Sequence, residues 1–197
     1  MKRISVSAAI LTLLLSLSTT SWAGLYTYVP SPADLNDLDH YKAYAWGLNW
    51  THPQERIIGA SLTFYNIYDW EAESNDILWV NLLNTPPLIG VKTYTDDQNP
   101  GNYFAGWDKT LIGTWTDPVG GLPKDTITFT FNEPALAAFR SYVADGKFGL
   151  GIDPDCHYYN DRVRLSIATS NTAIPEPATM VLVGLGLAGV GIIRRKR

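Results

Sequence analysis

Arg56 to Tyr68 alternates without interruption. Ile58, Ala60, Leu62, Phe64 and Asn66 fall on one face, and Ile57, Gly59, Ser61, Thr63 and Tyr65 on the other. Successive side chains of a strand point to opposite faces, so the segment reads as one long, half-buried strand. A strand of that length needs partners, and the rest of the chain supplies them. Tyr41–Trp50 is aromatic-rich and extended. Asp76–Leu83 is apolar on both faces, as a central strand is, and Pro86-Pro87 ends it. Shorter runs follow at Leu88–Thr95, Thr110–Thr116, Thr126–Phe131, Phe148–Ile152 and Arg162–Ala168, with Gly120-Gly121 and Pro123 marking a turn.

One segment breaks the pattern. Asn132-Glu133-Pro134 precedes Ala135–Val143, and Gly146 follows. A capping Asn, a Pro in the first turn, alanines inside and a Gly beyond the end describe a short helix. Leu136, Phe139, Tyr142 and Val143 are its expected buried stripe. About eight short strands, one helix and no β–α alternation predict an all-β fold, an antiparallel sandwich of jelly-roll type, with an immunoglobulin-like order as the alternative.

Charge divides the chain differently. It has 197 residues, with 15 Lys and Arg against 19 Asp and Glu. Lys2, Arg3, Arg194, Arg195, Lys196 and Arg197 crowd the tips, and residues 24–174 hold 18 acidic against 9 basic side chains. An acidic middle argues against nucleic acid, whose phosphates need Lys and Arg. Aromatics make up 12%, with 7 Trp and 11 Tyr, which is ample apolar surface for an ordered core. The single cysteine, Cys156, excludes an intrachain disulfide and any Cys-x-x-Cys motif.

The basic tips adjoin apolar runs. Lys2-Arg3, the apolar Ile10–Leu17 and Ser21-Trp22-Ala23 have the layout of a secretory signal helix, with cleavage expected between Ala23 and Gly24. The Sec translocon and signal peptidase are the partners this implies. At the other end, Pro175-Glu176-Pro177 precedes an uncharged run to Ile193, and four basic residues close the chain. This reads as a transmembrane helix that is short for a full span, with its basic end cytoplasmic. The expected organisation is a signal peptide at 1–23, a sandwich domain at 24–169, a linker at 170–174 and a membrane-anchored tail at 175–197.

The combination of Pro175, Glu176 and Pro177, a glycine-rich apolar helix and Arg194-Arg195-Lys196-Arg197 resembles the PEP-CTERM sorting signal of Gram-negative bacteria. The resemblance covers about 24 residues and says nothing about the fold of 24–174. It implies recognition by exosortase, a membrane-embedded cysteine transpeptidase, and cleavage near Pro-Glu-Pro. The precursor would then sit only transiently in the inner membrane, and the product would reach the cell surface or the medium, in species that make exopolysaccharide.

The middle offers weaker chemistry. Asp153, Asp155, Asn160 and Asp161 fall in one short segment, and Asp34, Asp37, Asp39 and His40 in another. If the first and last strands are neighbours, the two segments meet. Asp37, Asp39, Asp153, Asp155, Asn160 and Asp161 would then suit a structural calcium ion, which takes six to eight oxygens. The alternative is a solvated loop of Asx turns that needs no metal. Cys156 and His157 are adjacent, so in a strand they point apart; a buried, inert thiol is expected. Trp107 and Tyr103, in the loop Asn99–Trp107, are candidates for stacking on sugar rings. Trp46, Trp50, Trp115 and Tyr158 are also considered, with most Trp expected in the core and at most two aromatics exposed. Three roles follow: a structural or adhesive surface protein, a carbohydrate-binding module, or a secreted hydrolase. The first is preferred, without catalysis of its own.

Overall fold

The computed structural model describes residues 23–71, 76–96 and 100–170. The strands are β1 (Ala23–Tyr28), β2 (Lys42–Asn49), β3 (Arg56–Asp69), β4 (Leu78–Leu83), β5 (Gly90–Thr95), β6 (Lys109–Trp115), β7 (Asp125–Thr130), β8 (Lys147–Pro154), β9 (Tyr158–Tyr159) and β10 (Arg162–Ser170). Helix α1 spans Glu133–Tyr142. One sheet has the order β1-β10-β3-β7, with β9 pairing β3; the other has β5-β2-β8-β4-β6. Every pairing between these strands is antiparallel. Without β5 and the two-residue β9, the principal strands run first-last-third-sixth in one sheet and second-seventh-fourth-fifth in the other. That is the order of a jelly roll.

Helix α1 begins as its sequence dictates. The Asn132 side chain accepts the Ala135 N–H at 3.0 Å, Pro134 lies in the first turn, and Gly146 takes φ 84° after the last turn. Ala135, Leu136 and Phe139 are buried, while Tyr142 and Val143 pack against the core from partly exposed positions.

β3 follows its expected phase only in the middle. Ala60, Leu62 and Phe64 face the core, but Ile57 is buried while Ile58 is 48% exposed. The register slips again between Phe64 and Ile67, where Asn66 adopts φ 53°. An extra residue of this kind turns the following side chains to the other face. Ile67 and Asp69 therefore enter the core in place of Asn66 and Tyr68.

β2 is buried on both faces. Tyr44, Trp46 and Leu48 join the main core between the sheets, whereas Ala43 and Ala45 form a second cluster with Leu83 and Phe104. The cover on that outer face is the segment 100–108, a strap containing the 3-10 turn Tyr103–Gly106. Small residues make the close approach possible. A Cβ on Gly47 would collide with the Leu88 carbonyl, and one on Gly151 would meet the Phe104 ring at 2.8 Å.

Two strands were not anticipated, β1 and β9. β1 is the more consequential, because it pairs with the last strand from Ala23↔Ser170 to Tyr28↔Leu165. Residues 23–170 make up one compact unit. The expected signal helix and C-terminal transmembrane helix lie outside the described residues. Among the described residues no helix is long and apolar enough to cross a membrane.

Candidate functional site

The pairing of Ala23 with Ser170 brings both ends of the described domain out at one pole of the sandwich. β10 is 9 residues long, or about 30 Å at 3.3 Å per residue, and leads to the opposite pole at Arg162. Loops 33–41, 69–71, 117–124 and 155–161 gather there. Backbone hydrogen bonds tie them together: Leu38 with Tyr158 in both directions at 2.9 Å, Val163 N–H to the Ala33 carbonyl at 2.7 Å, and Gly121 N–H to the Asp69 carbonyl at 2.6 Å.

This loop pole holds every exposed aromatic side chain among the described residues: Tyr41 (49%), Trp70 (62%) and Tyr159 (36%). Three are exposed where at most two were expected, and none is among the rings considered for sugar stacking. Tyr41 and Tyr159 belong to a chain of rings. Tyr41 meets His40 at 4.2 Å, His40 meets His157 at 6.4 Å, and His157 meets Tyr159 at 4.8 Å. Tyr159 stacks on Tyr68 at 5.1 Å, and Lys124 lies over Tyr68 at 5.4 Å from its centroid. The ring planes of His40 and His157 are 82° apart, so the row offers separate faces and edges rather than one flat platform.

The second feature is acidic. Asp153 and Asp155 leave β8 on one face, as residues two apart in a strand do. The end of β5 brings Asp96 to them, and ligand atoms of all three lie within 4.8 Å of one another. Asp153 Oδ2 accepts the Tyr103 N–H at 2.6 Å. Asp155 accepts the Trp79 indole N–H at 3.1 Å and the Gly101 N–H at 3.3 Å. The Asn81 and Asn102 amides donate to each other at 3.1 and 2.9 Å, and Asn102 Oδ1 also caps the 3-10 turn through the Phe104 N–H. Burial, with the charges of Asp96 and Asp155 adding to it, pushes the Asp153 carboxyl up to about 7 against the pull of the Tyr103 N–H. A pocket of about 510 Å³ opens alongside, lined by Thr95, Asp96, Pro100, Gly101, Asn102 and Tyr103.

The six residues considered for calcium thus separate into groups with different contacts. Asp153 and Asp155 stay together and gain Asp96. The segments around Asp37 and Asn160 do meet, but through hydrogen bonds: Asn160 N–H donates to Asp37 Oδ1 at 3.2 Å, and its side-chain amide to the Asp34 carbonyl at 2.9 Å. Asp39 pairs with Lys42 at 3.0 Å. Asp161 takes Asn66 at 2.6 Å and Lys124 at 3.3 Å, and these partners hold its carboxyl below the usual range. Asp96 was missed because it follows β5, far in sequence from Asp153.

Tyr103 and Trp107 have company of their own. Tyr94 lies 5.5 Å from Tyr103 and 5.6 Å from Trp107, and Phe104 lies 5.3 and 5.1 Å from the same two rings. Both side chains are partly buried. Trp46, Trp50 and Tyr158 are core residues, and Trp115 packs on the core from a partly buried position. Cys156 is buried and its thiol donates to Asp69 Oδ1 at 3.2 Å; burial and that carboxylate push the thiol far above its ordinary range. Asp69 itself is buried with Asp76 facing it, and burial first of all pushes its carboxyl up to about 6.

The described domain is thus an acidic jelly roll with its ends at one pole and its exposed rings at the other. How it is handled is read from the tail. Residues 173–197 match the family model of the PEP-CTERM protein-sorting motif, so the chain carries the address of an exosortase substrate. The motif marks an exported surface or extracellular protein, held by a C-terminal membrane anchor until exosortase processes it. Pro175, Glu176, Pro177 and Arg194–Arg197 fall within the match but outside the described residues, while Ala23 and Gly24 open β1. No curated protein matches the chain.

Proposed function

We propose that this protein acts at the cell surface or in the extracellular matrix as a non-catalytic, adhesive component that holds carbohydrate at its loop pole. One observation carries the reading: Tyr41, Trp70 and Tyr159, the exposed aromatics of the described domain, all lie at the pole opposite Ala23 and Ser170. Sugar C–H faces stack on exposed Tyr and Trp rings, and rings away from the tethered end are free to meet a ligand. Export is assigned to the Sec translocon with signal peptidase acting after Ala23, and the processed protein then associates with exopolysaccharide. Residues 24–174 carry 18 acidic and 9 basic side chains, so neutral glycans are favoured over acidic ones unless a cation bridges them.

A purely structural role is the second reading. It is favoured by the mutual packing of Tyr94, Tyr103, Phe104 and Trp107, which occupies ring faces a sugar would need. The purified full-length chain on a glycan array, beside a Tyr41→Ala/Trp70→Ala/Tyr159→Ala variant, separates the two. Binding by the native chain that the variant loses supports the adhesive reading. A blank array leaves the structural one. Binding that survives in the variant but is lost in Tyr103→Ala moves the site to the strap.

A further inference from the structure

Asp153 is fully buried, yet only one of its two carboxylate oxygens is used. Oδ2 accepts the Tyr103 N–H, while Oδ1 receives no hydrogen bond and shares a small space with the carboxylates of Asp96 and Asp155. Three carboxylates so close repel one another, and burial removes the water that would screen them. A side chain in this position is stabilised by a positive charge placed between the three. The donors are all oxygens, which selects a hard cation over zinc or copper, whose preferred ligands are nitrogen and sulfur. The other close acidic group, Asp69 and Asp76 with Cys156, differs on this point: its third member is a thiol that donates to Asp69.

We propose that Asp96, Asp153 and Asp155 form a site for a hard divalent cation, calcium in an extracellular setting, that fixes the strap 100–108 to the outer face of the second sheet. Tyr103 and Gly101 of the strap already donate to Asp153 and Asp155, and Asp96 leads into the strap from β5. An ion shared by the three carboxylates therefore joins strap, β5 and β8 at one point. The ion also leaves the 510 Å³ pocket beside Asp96 as its access to solvent. Asp96 N–H donates to the Tyr41 carbonyl at 2.9 Å, so the site lies at the loop pole beside one exposed ring; its ligand atoms are the three carboxylates, and Ca²⁺ binding is read without any glycan present.

The test uses the purified full-length chain, stripped with EDTA and titrated with Ca²⁺, and in parallel with Tb³⁺ excited through indole. Trp79 donates to Asp155 at 3.1 Å, so a lanthanide bound here sits next to a sensitising ring. The expected result is saturable Ca²⁺ binding with a rise in Tm, together with Tb³⁺ emission that Ca²⁺ displaces. Asp153→Asn keeps an acceptor for the Tyr103 N–H and removes a buried charge, so it folds without the ion. It should melt higher than the native chain in EDTA, yet bind Ca²⁺ about tenfold or more weakly. Asp96→Asn should weaken binding similarly, and Trp79→Phe should lose Tb³⁺ emission while keeping the Ca²⁺ effect on Tm. No Ca²⁺ binding at millimolar concentration overturns the proposal. So does a Ca²⁺ shift in Tm that Asp153→Asn and Asp96→Asn retain in full.

Discussion

Ala23 lies directly across an antiparallel ladder from Ser170, so the folded domain begins and ends on neighbouring strands. The same edge carries a clasp. Glu55 accepts the Tyr26 phenol of β1 at 2.6 Å and the Thr169 hydroxyl of β10. The strands that lead out of the domain are thereby joined through one carboxylate from the start of the third. Thr169 and Tyr26 hold Glu55 below its ordinary range, and Glu55 in turn pushes the Tyr26 phenol up to about 12.

A lowered carboxyl stabilises the fold above its unfolded value and loses that contribution as pH falls through its folded value. Glu55→Gln should therefore lower Tm at neutral pH and make little difference once Glu55 is protonated in strong acid. Thermal melts of the two chains across that range check it; an equal gap in strong acid would assign the loss to packing instead of charge.

Asp69 has the opposite sign. Burial raises its carboxyl to about 6, against about 3.8 in the unfolded chain. Between those values the native state holds a proton that the unfolded state has released, so stability falls as pH rises from about 4 to about 6. Below that window the contribution is complete. Asp69→Asn keeps an acceptor for the Cys156 thiol and is neutral throughout. Its Tm should be flatter across pH 4 to 6 than that of the native chain, and parallel slopes would contradict the assignment.

Phe104 is fully buried although it comes from a loop, because it packs on Ala43, Ala45 and Gly151. Phe104→Ala should cost about 3–5 kcal/mol, as other buried aromatic truncations do. Gly151→Ala pushes a methyl into the same ring and should cost about 1–3 kcal/mol. Denaturant melts followed by Trp fluorescence measure both. A neutral Gly151→Ala would show that the strap yields freely.

The sorting motif makes a cellular prediction. Glu176→Ala, or deletion of Arg194–Arg197, should leave unprocessed precursor in the inner-membrane fraction, read by fractionation and immunoblotting. Normal release of both variants would remove the motif's role.

Much of the fold was legible because it rests on short-range rules. Asn132, Pro134 and Gly146 bracket α1, and alternation marked eight of the ten strands. β1 escaped because Leu25–Tyr28 directly follows the expected cleavage site and has no turn before it. The reversal at Asn66 escaped for another reason. Asparagine tolerates a left-handed backbone but does not announce one, and only the ladder with β7 shows that Asp69, not Tyr68, points inward. The acidic site was half legible. Asp153 and Asp155 share a face by local geometry, whereas Asp96 joins them through the sheet order β5-β2-β8, which no spacing encodes. Exposed rings were the least legible part, since Tyr41, Trp70 and Tyr159 lie at strand ends and in loops, where alternation does not fix which way a side chain points.

The proposed processing by signal peptidase and exosortase makes both tips address and only the middle product. Intact-mass analysis of the protein recovered from the cell surface or medium tests it most directly, with an exosortase-deficient strain beside it. The expected species begins at Gly24, ends near Pro175–Pro177 and lacks Arg194–Arg197; in the deficient strain the tail remains and the protein stays with the membrane. A surface or medium form that keeps residues 178–197, with or without exosortase, would contradict it.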